Sequence, residues 1–428
     1  MSGRRPGRRG GPRIADFLLV TQYYPPERGA AQVRLAAVVA QLVRNGRAVD
    51  VVTALPNYPL GRIFDGWSRR PVQVTEEDGA RVVRVWVWAS MGSGLGRIVN
   101  YLSFGAMSLL GMLRARRAAW VLVEYPTLFG ALPAVVAARL RRQRVALIVA
   151  DLWVDSIVEI GTLRDGAVVR ALRRLERWML QRADLVTAVT EGVRDALVRK
   201  GVQPDRLAWL PNGADTELFA PGPVDEAVRA ELAPAGEQVF LYAGTHGYVH
   251  GLEVVLGAAE LLADLPVRFV LVGGGSEKPA LERDAAAKQL SNVTFLDPVA
   301  PEQVARMLRG SVAGLATVRE GDLYRTVRSA KALPTMAAGR PLIYSADDEG
   351  SRLVAKAGAG IVTPPGDAAA LADAVRKLAT DPELAQQLGE AGRAWVCEHA
   401  SWEVLVGSWL EQVDAAEARP VAAGSAAP

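Results

Sequence analysis

Cysteine and histidine are nearly missing from this 428-residue chain: Cys397 stands alone, and His246, His250 and His399 are the only imidazoles. A lone cysteine excludes an internal disulfide and a thiolate zinc site, and three scattered histidines leave little material for a metal centre. We therefore expect a reducing, cytoplasmic setting and no metal site. No apolar run reaches the ~20 residues that a spanning helix needs. The longest, YLSFGAMSLLGML at 101–113, reads as a helix with one buried face. The RARR that follows at 114–117 would also let that helix rest on an anionic membrane interface. No signal-peptide core follows the first arginines, because IADFLLV is short and runs straight into TQYYPP. Excess charge is also scarce. The net +4 is accounted for by Arg4, Arg5, Arg8, Arg9 and Arg13 in a leader, 1–13, that reads as a disordered basic arm. The near-neutral remainder excludes a nucleic-acid surface spread over the fold.

What is present is apolar and patterned. Half of the residues are hydrophobic and 22% are charged, enough to build a packed interior, and the length exceeds a single core. Short β-rich runs, ADFLLVT (15–21), AVDVVTA (48–54), RVVRVWVW (81–88), AWVLVEY (119–125) and RVALIVAD (144–151), alternate with helical stretches or loops. Near-continuous apolar strands separated by helices indicate a parallel sheet covered on both faces. The series then restarts with VFLYAG (239–244), RFVLVGGG (268–275), VTFLDPV (293–299), VAGLATV (312–318) and PLIYSAD (341–347). The fold class expected is α/β, with two tandem doubly wound, Rossmann-like domains facing a central cleft. The N-terminal one spans 14–208 and the C-terminal one 224–400. The Pro- and Gly-rich stretch 209–223 reads as the join, 401–416 as a helix that crosses back, and 417–428 as a disordered tail.

In open α/β sheets the ligand lies at the carboxyl ends of the strands, where helix N-termini offer free N–H groups to phosphate. Three strand-to-helix loops are candidates. YYPPERGAAQVR places Gly29 and Ala30 before a helix that carries Arg34. YAGTHGYVHGL offers Gly244, Thr245, His246, Gly247 and His250, whose two imidazoles could equally be surface polar groups. VLVGGGSEKPALE offers Gly274, with Ser276 placed to cap the next helix. The last does not complete a dinucleotide fingerprint, since Lys278 stands where a third glycine is required.

Taken together these loops resemble the retaining glycosyltransferases of family 4, with the two-domain arrangement called GT-B. PNGADTELFAP at 211–221 is close to that family's Pro-Asn-Gly-x-Asp-x-x-x-Phe-x-Pro signature, and YPP with GAA, DLWVDS, YAGTHGYVHGL and AAGRPLIYS fall in the family's order. LPNYPLGRIFDGW and DLWVDSIVEIG look most like the subgroup that builds O-antigen, capsule or colanic-acid polysaccharides, including N-acetylfucosamine transferases.

The resemblance implies a nucleotide-sugar donor, UDP- or GDP-type, on the C-terminal domain. It implies a lipid-linked or oligosaccharide acceptor on the N-terminal domain, no cofactor and no catalytic metal. Peripheral contact with the inner face of the plasma membrane would follow from such an acceptor. Thr245 and His250 occupy the positions where the family has a basic pair on the donor diphosphate, which leaves Lys331, with Arg325 or Arg328, to offset the leaving group. Pro334 and Thr326 stand where the family has its two carboxylates. Glu320 begins a displaced Glu-Gly pair, and Glu349 is a replacement for the ribose contact. Asp151 is the strand-end polar group for chemistry, and Asn57, Tyr58, Arg62, Trp153 and Asp155 would meet the acceptor. A non-catalytic relative that lost its ribose carboxylate and a nucleotide-sugar epimerase stay open as alternatives.

Overall fold

The computed structural model describes residues 14–27, 29–90, 95–125, 128–159, 166–321, 324–325 and 329–419. The leader 1–13, the end of the tail at 420–428, Thr326 and Arg328 lie outside the described residues. The chain divides into two compact units, one running to Pro211 and resuming at Val406, the other spanning Asn212–Leu405.

The first unit is built on strands β1 (Ala15–Val20), β2 (Val49–Ala54), β3 (Val72–Glu77), β4 (Ala80–Val85), β5 (Ala118–Glu124), β6 (Arg144–Val149), β7 (Leu185–Ala188) and β8 (Leu207–Trp209), in the order β3-β4-β2-β1-β5-β6-β7-β8. Every neighbouring pair is parallel except β3–β4, a hairpin in which Val72 faces Val85. The central strands are Val- and Leu-rich and buried along most of their length, as a sheet covered on both faces requires. The covering helices are α1 (Ala30–Arg44), α2 (Leu95–Arg114), α3 (Leu128–Leu140), α4 (Trp153–Glu159), α5 (Ala167–Arg182) and α6 (Glu191–Arg199). α1 buries Leu35, Val38, Val39 and Leu42, an i, i+3, i+4, i+7 stripe that fixes its inner face. Strands β3, β7 and β8 are absent from the sequence reading: the first is a polar edge strand, the other two have only four and three residues.

The second unit carries α7 (Glu226–Leu232), β9 (Gln238–Ala243), α8 (Glu253–Leu261), β10 (Val267–Val272), α9 (Lys278–Ala287), β11 (Val293–Leu296), α10 (Pro301–Arg309), β12 (Ala313–Thr317), α11 (Ala332–Ala337), β13 (Leu342–Ser345), α12 (Glu349–Ala357), β14 (Gly360–Thr363), α13 (Ala368–Thr380) and α14 (Pro382–His399). Its sheet is parallel, ordered β11-β10-β9-β12-β13-β14. Helix starts follow local chemistry. Asp348 and Ser351 form a reciprocal capping box on α12, and Asp381 accepts from the Leu384 N–H ahead of Pro382 on α14. The stretch after Pro211 is held firmly within this unit: the Arg393 guanidinium donates to the carbonyls of Thr216, Phe219 and Ala337 at 2.8–3.2 Å. Both units are thus Rossmann-like layers of helices on a predominantly parallel sheet.

A last helix, α15 (Trp402–Glu417), starts in the second unit and ends in the first. Trp409 anchors it there: fully buried, it lies against Phe17 of β1 and donates its indole N–H to Thr187 Oγ1 of β7 at 3.0 Å.

Candidate active site

In the second unit, three chain segments meet beyond the carboxyl ends of β9 and β10. The loop 244–247 follows β9, and the glycines 273–275 follow β10. The two run so close that a Cβ on Gly273 would overlap the Gly244 carbonyl, and one on Gly275 the His246 backbone. His246 N–H donates to the Gly274 carbonyl at 2.9 Å, and Glu277 N–H returns to the His246 carbonyl at 3.0 Å. Those glycines are therefore required by backbone meeting backbone. Lys331, at the start of α11, lays its aliphatic stem over Gly244 and holds its ammonium 4.9 Å from the centre of the Tyr242 ring. Tyr242, on β9, donates its hydroxyl to the Thr245 carbonyl at 2.7 Å and has His246 and His250 on its ring at 5.7 and 6.3 Å between centroids. The sequence reading missed Tyr242, because an aromatic inside a strand gives no signal beyond packing.

The electrostatics here are unusual. Burial, with repulsion from Lys278 and Lys331, lowers His246 to about 4. Burial, with repulsion from Lys331, lowers His250 to about 4. Desolvation alone lowers Lys331 to about 8. Both nitrogens of His246 and Nδ1 of His250 are buried and make no well-formed hydrogen bond; the backbone of Val272 beside His246 and of Thr317 beside His250 offsets the lowering only in part. Buried polar atoms of this kind cost free energy unless something satisfies them, and an anion beside Lys331 could accept from a ring N–H, while the other ring nitrogen needs a donor. The reading as a surface group is corrected for His246, which the two Gly-rich loops enclose completely, whereas His250 is half-buried.

Around this centre, Thr245 is exposed and Gly247 has room beside it. Glu349 opens α12 and is mostly buried, its N–H on the Arg325 carbonyl at 3.1 Å. The Tyr344 hydroxyl ties this end of α12 to the Lys331 segment, accepting from Ser329 N–H at 3.2 Å and donating to Asp348 at 3.1 Å. Glu320 is exposed on the loop after β12. Pro334 sits in the first turn of α11, which forms despite it. Ser276 does not cap α9: the helix starts at Lys278 and its cap position carries no side-chain hydrogen bond.

In the first unit, the residues expected to meet an acceptor are organised by a carboxylate that the sequence reading did not select. Glu27 is almost fully buried. Its Oε1 accepts from Asn57 N–H at 2.7 Å, Tyr58 N–H at 2.8 Å and Asn57 Nδ2 at 3.4 Å, and its Oε2 accepts from Tyr24 N–H at 3.3 Å. Burial raises Glu27 to about 7 in spite of these donors. Tyr58 stacks edge-on to Tyr23 at 5.6 Å, and Arg62, exposed, pairs with Asp65 at 2.9 Å.

Gly29 precedes α1 and its carbonyl accepts from Val33. Arg34, expected to touch donor phosphate or acceptor, is instead buried and paired at 3.3 Å with Glu124, which also accepts from Thr21 Oγ1. Asp151 is exposed and accepts from Ser156 Oγ at 2.8 Å. Asp155 pairs with Lys200 at 2.8 Å, and Lys200 in turn with buried Glu176. Trp153 packs edge-on to Phe129. Asp155 and Trp153 thus already have structural partners.

Residues 29–213 match the family described as glycosyl transferase 4-like domain, and residues 224–395 match glycosyl transferases group 1. The chain belongs to the family 4 glycosyltransferases. This glycosyltransferase is 28% identical over 313 residues to the putative colanic acid biosynthesis glycosyl transferase WcaI of Escherichia coli K12, covering 70% of this chain and 75% of that one. It is 26% identical over 230 residues to the probable glycosyltransferase WbjE of Pseudomonas aeruginosa, covering 53% of this chain and little more than half, 57%, of that one. Among solved structures, trehalose-6-phosphate from E. coli bound with UDP-2-fluoro glucose superposes with a TM-score of 0.70 at 14% identity, over 95% of this chain and 100% of that one. The last likeness is one of fold: the glycosyltransferase shares the GT-B architecture.

Proposed function

We propose that this glycosyltransferase moves a sugar from a UDP- or GDP-linked donor to a lipid-linked or oligosaccharide acceptor in surface polysaccharide synthesis, with retention and without a catalytic metal or cofactor. The observation that carries the reading is the set of Lys331, Tyr242, His246 and His250 around the Gly244–Gly247 loop. It joins one ammonium to buried imidazole nitrogens that make no well-formed hydrogen bond, a setting suited to a diphosphate. The UDP-sugar bound to the E. coli structural relative supports the donor class. As the C1–O bond to the diphosphate breaks, charge builds on the departing phosphate, and the Lys331 ammonium stabilises it. The acceptor oxygen attacks C1 from the same face and gives its proton to that phosphate, so that no strong protein base is needed. The acceptor would meet the Asn57–Tyr58 loop of the first unit. WcaI and WbjE support the pathway assignment by their names. No helix among the described residues is long and apolar enough to cross a membrane, and we place the enzyme on the cytoplasmic face of one.

The test begins with thermal stabilisation by UDP-, GDP-, dTDP- and ADP-sugars, since a ligand of the native state raises the melting point. Transfer of the selected sugar to membrane extract follows, with the anomeric configuration of the product read by NMR. A selective shift and an axial-to-axial or equatorial-to-equatorial outcome support the proposal. No shift with any donor, or an inverted product, overturns it.

A further inference from the structure

We infer that the outward face of α2, together with the end of α3, is a docking surface for an anionic lipid bilayer. The helix is apolar on both sides. Its inner side buries Phe104, Ser108 and Met112, and Gly111 allows contact with Val52 and Val85 of the sheet. Its outer side exposes Ile98, Leu102, Leu109 and Leu113, the last 67% accessible. Positions 98, 102, 109 and 113 fall within one quadrant of the helix and form a stripe about 22 Å long. A soluble surface helix would carry Lys and Glu there. In α2 the charged residues are Arg97, which donates to the Tyr101 hydroxyl at 2.6 Å, and Arg114 at the end that meets the arginine cluster.

The stripe does not stop at the helix end. Leu113 shares a surface groove with Leu140, 81% exposed at the end of α3, and with Arg117, Arg141 and Arg142. Arg117 donates to the Arg141 carbonyl at 2.7 Å, and Arg141 to the Met112 carbonyl at 2.9 Å, so backbone contacts hold the cluster in place. Arg114, Arg117, Arg141 and Arg142 have no carboxylate partner among the described residues. Neither 95–117 nor 128–144 contains an Asp or Glu. Aliphatic stems ringed by cations of one sign fit an anionic bilayer. Among the described residues neither the outer stripe of α2 nor the end of α3 carries an exposed aromatic of the kind that protein partners favour; exposed Trp88, bonded through its backbone to Asn100 and Ser103, lies at the side of α2, and the leucines do not suit nucleic acid. The inference rests on the reading that the acceptor is presented at a membrane, and it names the surface that would bring the enzyme there.

The experiment is co-sedimentation of the full chain with vesicles of phosphatidylcholine alone and of phosphatidylcholine mixed with phosphatidylglycerol. We expect binding to the mixed vesicles that weakens with salt, and little to the neutral ones. The Arg114→Gln, Arg117→Gln, Arg142→Gln triple variant should bind on the order of 100-fold more weakly, at roughly fivefold per arginine. Leu113→Gln with Leu140→Gln should also lose binding, while donor-induced thermal stabilisation stays as in the parent. Parent-like binding by both variants would assign attachment to the leader arginines and overturn the proposal. So would failure of the parent to bind, or a dimer in sedimentation that the leucine variants dissolve. Vesicle binding is read without substrate, so its failure and a failure of the transfer reaction are separate results.

Discussion

Lys331 lies directly over Gly244, with its aliphatic stem in the space that a side chain at 244 would fill. The absence of one Cβ therefore decides where the Lys331 ammonium on the Tyr242 ring can sit. Gly244→Ala should push Lys331 out of this position and weaken donor binding by about 10- to 100-fold, the loss of one charge-assisted contact of roughly 1.5–3 kcal/mol. Calorimetric titration with the donor found by thermal screening checks it, with Lys331→Ala expected to match. Unchanged affinity in both would remove Lys331 from the donor site.

The imidazoles give a second expectation, and its sign is fixed by their low values. His246 and His250, both at about 4, are neutral at pH 7. A diphosphate beside Lys331 adds negative charge near half-buried His250 and, at longer range, near the enclosed His246; it raises these values and that of Lys331, so binding takes up protons and affinity should increase as the pH falls from 7 towards 5. Titration in buffers of different ionisation enthalpy measures the uptake. Equal apparent enthalpies in every buffer would show that the imidazoles do not face the ligand.

Glu27 behaves in the opposite sense. Its value in the folded chain, about 7, lies above the ordinary 4.5, so the folded state holds the extra proton. The stability it contributes is present below about pH 4.5 and is lost as the pH rises through 7, at up to about 1.4 kcal/mol per pH unit. Urea unfolding of the parent and of Glu27→Gln between pH 5 and 8 should show a difference that changes with pH. A constant difference across that range would mean that Glu27 does not titrate there.

Trp409 offers a test of the last helix. Fully buried against Phe17 and bonded to Thr187, it should cost about 3–5 kcal/mol when replaced by alanine, whereas Thr187→Val should cost about 1 kcal/mol. Urea midpoints of the two variants decide it. A Trp409→Ala loss below that of Thr187→Val would show that α15 does not hold the first unit together.

The sequence by itself determined the two parallel sheets, because apolar strands buried on both faces leave a continuous signature. It also determined the order of the loops at their ends. The short strands β7 and β8 and the polar edge β3 left too few apolar residues to be seen. Only tertiary structure decided which polar groups were already engaged. Arg34 and Asp155 look alike in sequence to residues that await a ligand, yet Glu124 and Lys200, 90 and 45 positions away, already pair with them. Glu27 gained its role from Asn57 and Tyr58 on another loop, and His246 lost its water because 273–275 closed over it. Burial and charge state are set by neighbours that the chain brings together only on folding, so they follow from packing and not from local pattern.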